Sequence, residues 1–342
     1  MRISRGTTLA VAGLAALAVG LTGCGGGDDV AGGGEKLTVY NAQHDDLMKA
    51  VLDGFTKETG IAVEVRDGSD SELSNQIVQE GKSSPADVFV TENSPAMTLV
   101  QNKTGFAKLD QATLDQVPDQ YQPAGGTWTG FAARSTVLAY NSTQLKPADL
   151  PASILDLAGP KWAGKVGFSP SGADFQAIVS AVVATAGEAK AAAWLAGLKK
   201  YGKVYQGNST VLKAVNAGEI STGILYHYYW YKDRAESGAN SKNVALHQFA
   251  AGDPGAFVSV SGVGVLASSD QKPQAQQLVR YMTGKAGQTA LSASTALEYS
   301  VASDVPANPV LPPLAELGAP DVQIADLNGP KVVELMQQAG LL

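Results

Sequence analysis

Strand-like and helix-like patterns alternate along the first part of the chain, after a glycine-rich stretch. Between the strands, apolar residues recur at helical spacing from Leu47 to Phe55, and Ser69 with Glu72 matches a capping box that opens a second helix. This alternation is typical of parallel βαβ units, in which ligands bind beyond the carboxyl ends of the strands. Runs rich in β-branched and aromatic residues predict strands over residues 36–40, 61–65 and 86–91.

The same alternation returns in the middle of the chain. Strand patterns cover residues 165–169 and 220–225, and helices are expected after Ser171-Gly172-Ala173 and from Asn208. Longer strand patterns over residues 131–140 and 257–267 flank this region and are natural crossovers between two lobes. We therefore predict an α/β fold of two lobes, each a mostly parallel sheet flanked by helices.

The length of 342 residues exceeds that of one typical hydrophobic core, which also favours two lobes. We assign residues 36–136 and 259–309 to an N-terminal lobe. Residues 137–258 and 310–342 form the C-terminal lobe, and the crossover strands act as the hinge.

Residues 1–23 have the features of a removable signal peptide. Arg2 and Arg5 precede an apolar run, residues 9–21, which is too short to span a bilayer comfortably. The following Leu-Thr-Gly-Cys resembles a bacterial lipobox, so we predict that Cys24, the only cysteine, is lipidated. Residues 24–35 would then be a glycine-rich tether. The expected location is extracytoplasmic, attached to the bacterial cell membrane only through the lipid anchor.

The charge balance argues against one class of partner. The chain has 25 basic and 32 acidic residues and a formal net charge of −7 at pH 7. Proteins that bind nucleic acid present basic faces, so we expect no nucleic-acid partner. A negative surface is compatible with a cationic ligand, although it is also a common aid to solubility.

The most informative chemical feature is the segment LYHYYWY at residues 225–231, which contains the adjacent phenols Tyr228 and Tyr229. Phenolate oxygen is a hard donor that prefers a small, highly charged cation such as Fe3+. His44 and Glu92 lie just beyond two predicted strands, at the edge where ligands bind. Two phenolates and one carboxylate would balance a trivalent cation, and a neutral imidazole would add a nitrogen donor.

These residues also allow other readings. Paired tyrosines often fill core space, and a single His or Glu in such a loop is commonly a solvated or capping residue. The aromatic segment could instead form a stacking platform for an organic cation such as a polyamine. A secreted hydrolase is a third class, although neither a Gly-x-Ser-x-Gly elbow nor a His-Glu-x-x-His motif occurs in the sequence.

A helix start could supply an anion site next to such a cation. Ser171, Gly172 and Ala173 offer small residues and backbone N–H groups where a helix begins, and Asn208 could add an amide donor. The alternative reading of Ser171-Gly172-Ala173 is an ordinary helix-capping turn.

From Leu37 onward the chain resembles the periplasmic ferric-ion-binding proteins of ABC iron-uptake systems, within the extracellular solute-binding protein superfamily. The blocks that carry this resemblance are VYNAQH (39–44), PADVFVTE (85–92), PKWAGKVGFSPSGA (160–173), GNS (207–209), YYWY (228–231) and DPGAFVSVSG (253–262).

The resemblance implies a two-lobed, type II-like periplasmic-binding-protein fold, together with a set of binding residues and partners. The implied iron ligands are His44, Glu92, Tyr228 and Tyr229. The implied contacts to a synergistic anion, phosphate or carbonate-like, are Ser171, Gly172, Ala173 and Asn208, with Asn93 where the family often has a glutamine. Tyr226 and His227 replace a common pair of asparagines, which leaves the identity and necessity of the anion open. The family also implies a non-enzymatic monomer that delivers free or chelated Fe3+ to an ABC permease.

Overall fold

The computed structural model describes residues 36–302 and 304–342. The predicted signal peptide, the lipidation site Cys24 and the tether lie outside the described residues. Within the described part of the chain, none of the helices combines the length and the apolar character needed to cross a bilayer.

Local residues satisfy free backbone groups at some of the helix ends. Ser69 accepts a hydrogen bond from the Glu72 backbone N–H at 3.2 Å, as the capping box predicts, and Gly60 ends the first helix in the left-handed conformation with φ of 74°. In the described part of the chain the helices are α1 (Asp45–Thr59), α2 (Asp70–Glu80), α3 (Ser94–Lys103), α4 (Gln111–Leu114), α5 (Ala173–Ala186), α6 (Glu188–Tyr201), α7 (Asn208–Ala217), α8 (His227–Glu236), α9 (Lys272–Thr283), α10 (Lys285–Ala293) and α11 (Gly329–Gln338).

The strands join into one continuous mixed sheet. They are β1 (Leu37–Asn41), β2 (Val63–Asp67), β3 (Val88–Val90), β4 (Thr129–Asn141), β5 (Val166–Phe168), β6 (Lys203–Val204), β7 (Thr222–Tyr226), β8 (Val244–His247), β9 (Val258–Val265) and β10 (Tyr299–Ser300). Their order is β2-β1-β3-β9-β4-β7-β5-β6, and both β8 and β10 pair with β4.

The prediction of mostly parallel sheets holds for the outer strands and is wrong for the centre. β1 runs parallel to β2 and β3, and β5 runs parallel to β6 and β7, as βαβ units require. The two predicted crossover segments correspond to strands β4 and β9, and both strands pair antiparallel with their neighbours. β4 therefore runs in the same direction as β1 and β3 and opposes β7, whereas β9 opposes β3 and runs in the same direction as β7.

Strand β4 changes its pairing partners halfway along its length. Residues up to Ser135 pair with β9, and residues from Thr136 onward pair with β7 and β8. Separate hydrophobic cores lie on the two sides: Phe55 and Val263 belong to one core, and Phe168 and Trp194 belong to another. The lobe boundaries assigned above stay a prediction, because residues after 310 join cores on both sides.

His227 ties the middle of β4 to the turn before β10. The backbone N–H of Ser135 donates to His227 Nδ1 at 3.2 Å, so the ring proton lies on Nε2, which donates to the Leu297 carbonyl at 2.9 Å. Burial disfavours the charged ring and lowers the pKa of His227 to about 4.

The His227 ring should make the folded protein sensitive to mild acid. An unfolded histidine titrates near about pH 6.5, so stability contributed by the neutral buried ring is complete above that pH and is lost as pH falls toward about 4. His227→Gln keeps one donor and one acceptor but cannot titrate. In urea unfolding, the drop in stability between those pH values should be smaller in this variant by about 3 kcal/mol. His247→Gln is the matched control, and identical pH profiles in wild type and His227→Gln would contradict the assignment.

Candidate functional site

His44 and Glu92 meet at one edge of the sheet. His44 lies at the start of α1, shortly after β1, and Glu92 follows β3. Because β1 and β3 are adjacent parallel strands, their carboxyl ends bring the two side chains together, and His44 Nε2 lies 3.6 Å from Glu92 Oε1. Asp70 holds the Glu92 segment in place by accepting the backbone N–H groups of Glu92 and Asn93 at 2.8 and 2.9 Å.

The two adjacent phenols point to the same place because they occupy the first turn of a helix. Helix α8 begins at His227, directly after β7. A strand would send neighbouring side chains to opposite faces, whereas here the Tyr228 and Tyr229 rings lie 4.3 Å apart with an interplanar angle of 31°.

Asp174 contacts both phenols, one of which also contacts Glu92. Its side chain is buried in the first turn of α5. Asp174 Oδ2 accepts hydrogen bonds from the hydroxyls of Tyr228 at 3.2 Å and Tyr229 at 3.1 Å. The Tyr228 hydroxyl also lies 3.0 Å from Glu92 Oε1. Sequence reasoning missed Asp174, because an acidic residue in a first helical turn is common for dipole reasons alone. The sequence signal that could have identified Asp174 is its position directly after Ser171-Gly172-Ala173.

The spacing of these atoms suits one small cation. Octahedral cations hold oxygen ligands at about 2.0–2.1 Å, so neighbouring ligands lie about 2.9 Å apart. Among the pairs of side-chain atoms described above, the separations run from 3.0 Å between Tyr228 and Glu92 to 3.6 Å between His44 and Glu92. Among residues 36–302 and 304–342, imidazoles, thiols and carboxylates alone do not form a group of three that could hold a metal. The phenols are therefore essential to this donor set.

Without a cation, protons occupy the cluster. Burial raises the pKa of Tyr228 and of Tyr229 well above the usual value for a phenol, and the nearby Asp174 and Glu92 raise both further. Burial and the Asp174 charge likewise raise the pKa of Glu92 well above its ordinary range. The phenols are therefore neutral donors to the carboxylates near pH 7, and a bound cation has to displace their protons.

Helix starts surround the cluster on several sides. Of the helices in the described part of the chain, α1, α3, α5, α7 and α8 begin at or within two residues of a cluster residue or of one of its hydrogen-bond partners. Free N–H groups and the helix dipole make such ends favourable for negative charge. They compensate part of the repulsion between anionic oxygens held this close together.

The amides predicted to hold an added anion instead contact Asp174. Asn208 Nδ2 donates to Asp174 Oδ2 at 2.8 Å, and Asn93 Nδ2 donates to Asp174 Oδ1 at 3.2 Å. Ser171, Gly172 and Ala173 line an adjacent cavity of about 580 Å³ that also touches Glu92 and Asn93. The point at which the amides converge is thus occupied by a carboxylate of the chain itself.

A buried ion pair lies behind His44. Glu298 Oε1 lies 3.0 Å from His44 Nδ1, and Glu298 Oε2 accepts from Arg134 Nη2 at 2.5 Å. Arg134 also donates to the Glu92 carbonyl. Burial by itself would raise the pKa of Glu298, but Arg134 and His44 outweigh it and lower the pKa to about 2. The sequence carried no local signal for this pair.

The profile of one known family matches most of the folded part. Residues 83–326 match the family described as bacterial extracellular solute-binding protein. The chain belongs to this family. The resemblance stated from the sequence is confirmed, and the two-lobed α/β architecture of solute-binding proteins is the fold of this chain.

The individual proteins that resemble this solute-binding protein include ones named for iron. It is 55% identical over 316 residues to the Fe(3+)-binding periplasmic protein of Serratia marcescens, covering 92% of this chain and 94% of the relative. Iron-bound HitA from Pseudomonas aeruginosa superposes with a TM-score of 0.84 at 40% identity, covering 90% of this chain and 99% of HitA. A Trichodesmium protein (IdiA, FutA) in complex with iron and citrate superposes with a TM-score of 0.78 at 25% identity, covering 90% and 100%.

Proposed function

We propose that this chain is the substrate-binding component of a bacterial iron-uptake system and that it binds Fe3+ through five side chains. These are His44, Glu92, Asp174, Tyr228 and Tyr229. One observation carries the proposal: the Tyr228 hydroxyl lies within hydrogen-bonding distance of both Glu92 and Asp174, so hard oxygen donors from separate chain segments share one point. The Serratia and Pseudomonas relatives support the choice of iron.

The donor chemistry favours a trivalent ion. Two phenolates and two carboxylates carry four negative charges, one more than Fe3+ neutralises, and the surrounding helix starts stabilise the remainder. Phenolate and carboxylate oxygens are hard donors that suit Fe3+ better than softer metals. Five protein donors leave one octahedral position for a water molecule or for an oxygen of a chelator.

Asp174 takes the role that an added anion was expected to play. It supplies negative charge at the point where Asn93 and Asn208 converge, and it contacts both phenols. The function therefore does not require phosphate or carbonate. A relative crystallised with iron and citrate supports the view that chelators can accompany iron in this family.

Iron would link the two sides of the sheet. His44 and Glu92 follow β1 and β3, whereas the phenols and Asp174 follow β7 and β5. A cation shared by both sides favours the closed arrangement over an open one, with β4 and β9 as the hinge. An ABC permease would then recognise the surface of the closed form. Periplasmic relatives support an extracytoplasmic location, and attachment through a lipid on Cys24 belongs to the same proposal.

The organic-cation alternative lacks an assembled aromatic platform. Trp230 donates its indole N–H to the Val244 carbonyl, and Arg234 covers its face at 5.1 Å. Tyr226 is fully buried and bonds to Asn93 at 3.3 Å. These rings are committed to internal partners, so they do not form a cage around a polyamine. The relatives are named as binding proteins, which supports a role other than catalysis.

Removing both phenol oxygens should abolish the visible absorbance of the iron complex. Ferric phenolates absorb visible light, so purified wild-type protein loaded with ferric citrate should be coloured. Tyr228→Phe combined with Tyr229→Phe should be colourless and should lose at least about 100-fold in affinity, since metal sites lose 10–100-fold even when an indirect partner is removed. Isothermal titration measures the affinity. Tyr231→Phe, on the same helix, is the control, and equal affinity in wild type and the double variant would refute the iron proposal.

Removing Asp174 should create a need for an external anion. In phosphate-free buffer, Asp174→Ala should bind Fe3+ at least about tenfold more weakly than wild type, because a direct donor is lost. Added phosphate should restore affinity in Asp174→Ala by filling the vacated point between Asn93 and Asn208, and should leave wild type unchanged. Phosphate dependence of the wild-type protein would contradict the role assigned to Asp174.

Iron binding should strengthen as pH rises. The raised pKa values of Tyr228 and Tyr229 keep both phenols protonated near neutral pH, so each bound ion releases at least two protons. The apparent association constant should therefore increase at least about 100-fold per pH unit, a factor of ten for each proton. Competition against citrate between about pH 6.5 and 8 measures this slope. In Tyr228→Phe the slope should fall by one proton, and an unchanged slope there would count against phenolate binding.

A further inference from the structure

Glu298 reaches the back of the site from a distant part of the sequence. It is fully buried and stands between Leu297 and strand β10. Leu297 has φ of 55° and is the one non-glycine residue with positive φ in the part of the chain that the structure describes. A leucine rarely adopts this conformation, so the surrounding structure imposes it. The turn directs the Glu298 carboxylate toward His44, 254 residues earlier in the chain.

Each oxygen of the Glu298 carboxylate has at least one fixed partner. Oε2 accepts from the Arg134 guanidinium at 2.5 Å, and Oε1 faces His44 Nδ1 at 3.0 Å. A carboxylate can only accept hydrogen bonds, so the facing imidazole nitrogen has to carry a proton. The other nitrogen, Nε2, then presents its lone pair toward Glu92, at 3.6 Å.

We propose that Glu298 is a positioning residue for iron, which holds the His44 proton on Nδ1 and aims the Nε2 lone pair at the bound ion. This inference rests on the proposed function, because it assumes that His44 is an iron ligand. Histidines that bind metals usually donate their second N–H to a carboxylate or carbonyl, which fixes the tautomer and the ring direction. Glu298 supplies that partner here, and Arg134 fixes the carboxylate in turn.

Arg134 makes Glu298→Gln an informative substitution, because it determines which way the introduced amide faces. A guanidinium only donates, so it requires the oxygen of the introduced amide on its own side. The NH₂ group of that amide then faces His44 Nδ1 and needs an acceptor there, which moves the imidazole proton to Nε2. We expect Fe3+ affinity to fall about 10–100-fold, the usual effect of removing the carboxylate partner of a metal-binding histidine.

A double-mutant comparison separates positioning from a purely structural role. If Glu298 acts through His44, Glu298→Gln should weaken iron binding in the wild-type background and change it less than about threefold in a His44→Ala background. An equal loss in both backgrounds would overturn the proposal. Asp87→Asn is the matched control: Asp87 is also a buried carboxylate, it accepts from the Thr38 backbone N–H at 2.9 Å, and it precedes β3 at the opposite edge of the sheet. That variant should leave iron affinity unchanged.

A measurement without iron tests the proposal even if Glu298→Gln does not fold. The chain has three histidines, so ¹⁵N-histidine labelling gives few ring signals. In iron-free wild-type protein, at a pH high enough for the His44 ring to be neutral, its proton should lie on Nδ1. A neutral ring with the proton on Nε2 would overturn the inference. If the wild-type protein did not bind iron, the proposed function itself would be refuted, so the two failures are distinguishable.

Discussion

Hydrogen bonds from two phenols to two carboxylates hold the site together when no cation is present. Tyr228 and Tyr229 donate to Asp174, and Tyr228 also reaches Glu92. Four oxygens that would repel one another as anions can lie this close because protons lie between them. The same protons are the ones that a cation displaces, so the arrangement is organised for binding before the ion arrives. The raised pKa values of both phenols follow directly from this crowding and from burial.

The surrounding backbone is arranged to tolerate concentrated negative charge. Helices that start near the cluster direct free N–H groups and the positive ends of their dipoles toward it. On the side of His44, the charge of Glu298 is neutralised by Arg134, which also donates to the Glu92 carbonyl. The ion pair therefore connects the His44 imidazole to the segment that carries Glu92.

The mixed sheet explains how one site can draw on two halves of the fold. β1 and β3 bring His44 and Glu92 to one edge, and β5 and β7 bring Asp174 and the phenols to the facing edge. Only β4 and β9 connect these sets within the described sheet, and His227 is bonded to the point where β4 changes partners. Movement at that point would separate His44 and Glu92 from Asp174 and the two phenols, which is what the proposed closure around an ion requires.

The amino-acid sequence by itself determined the alternation of strands and helices, the two crossovers, and the positions of His44, Glu92 and the tyrosines beyond strand ends. These are local properties, because hydrophobic period and turn residues act over a few positions. Tertiary structure alone decided that helix α8 begins early enough to align both phenols, that Asn93 and Asn208 donate to Asp174, and that Glu298 contacts His44. Those contacts join residues 54 and 254 positions apart. Pairing over such distances depends on how the elements pack, and the residues involved look ordinary in their local sequence.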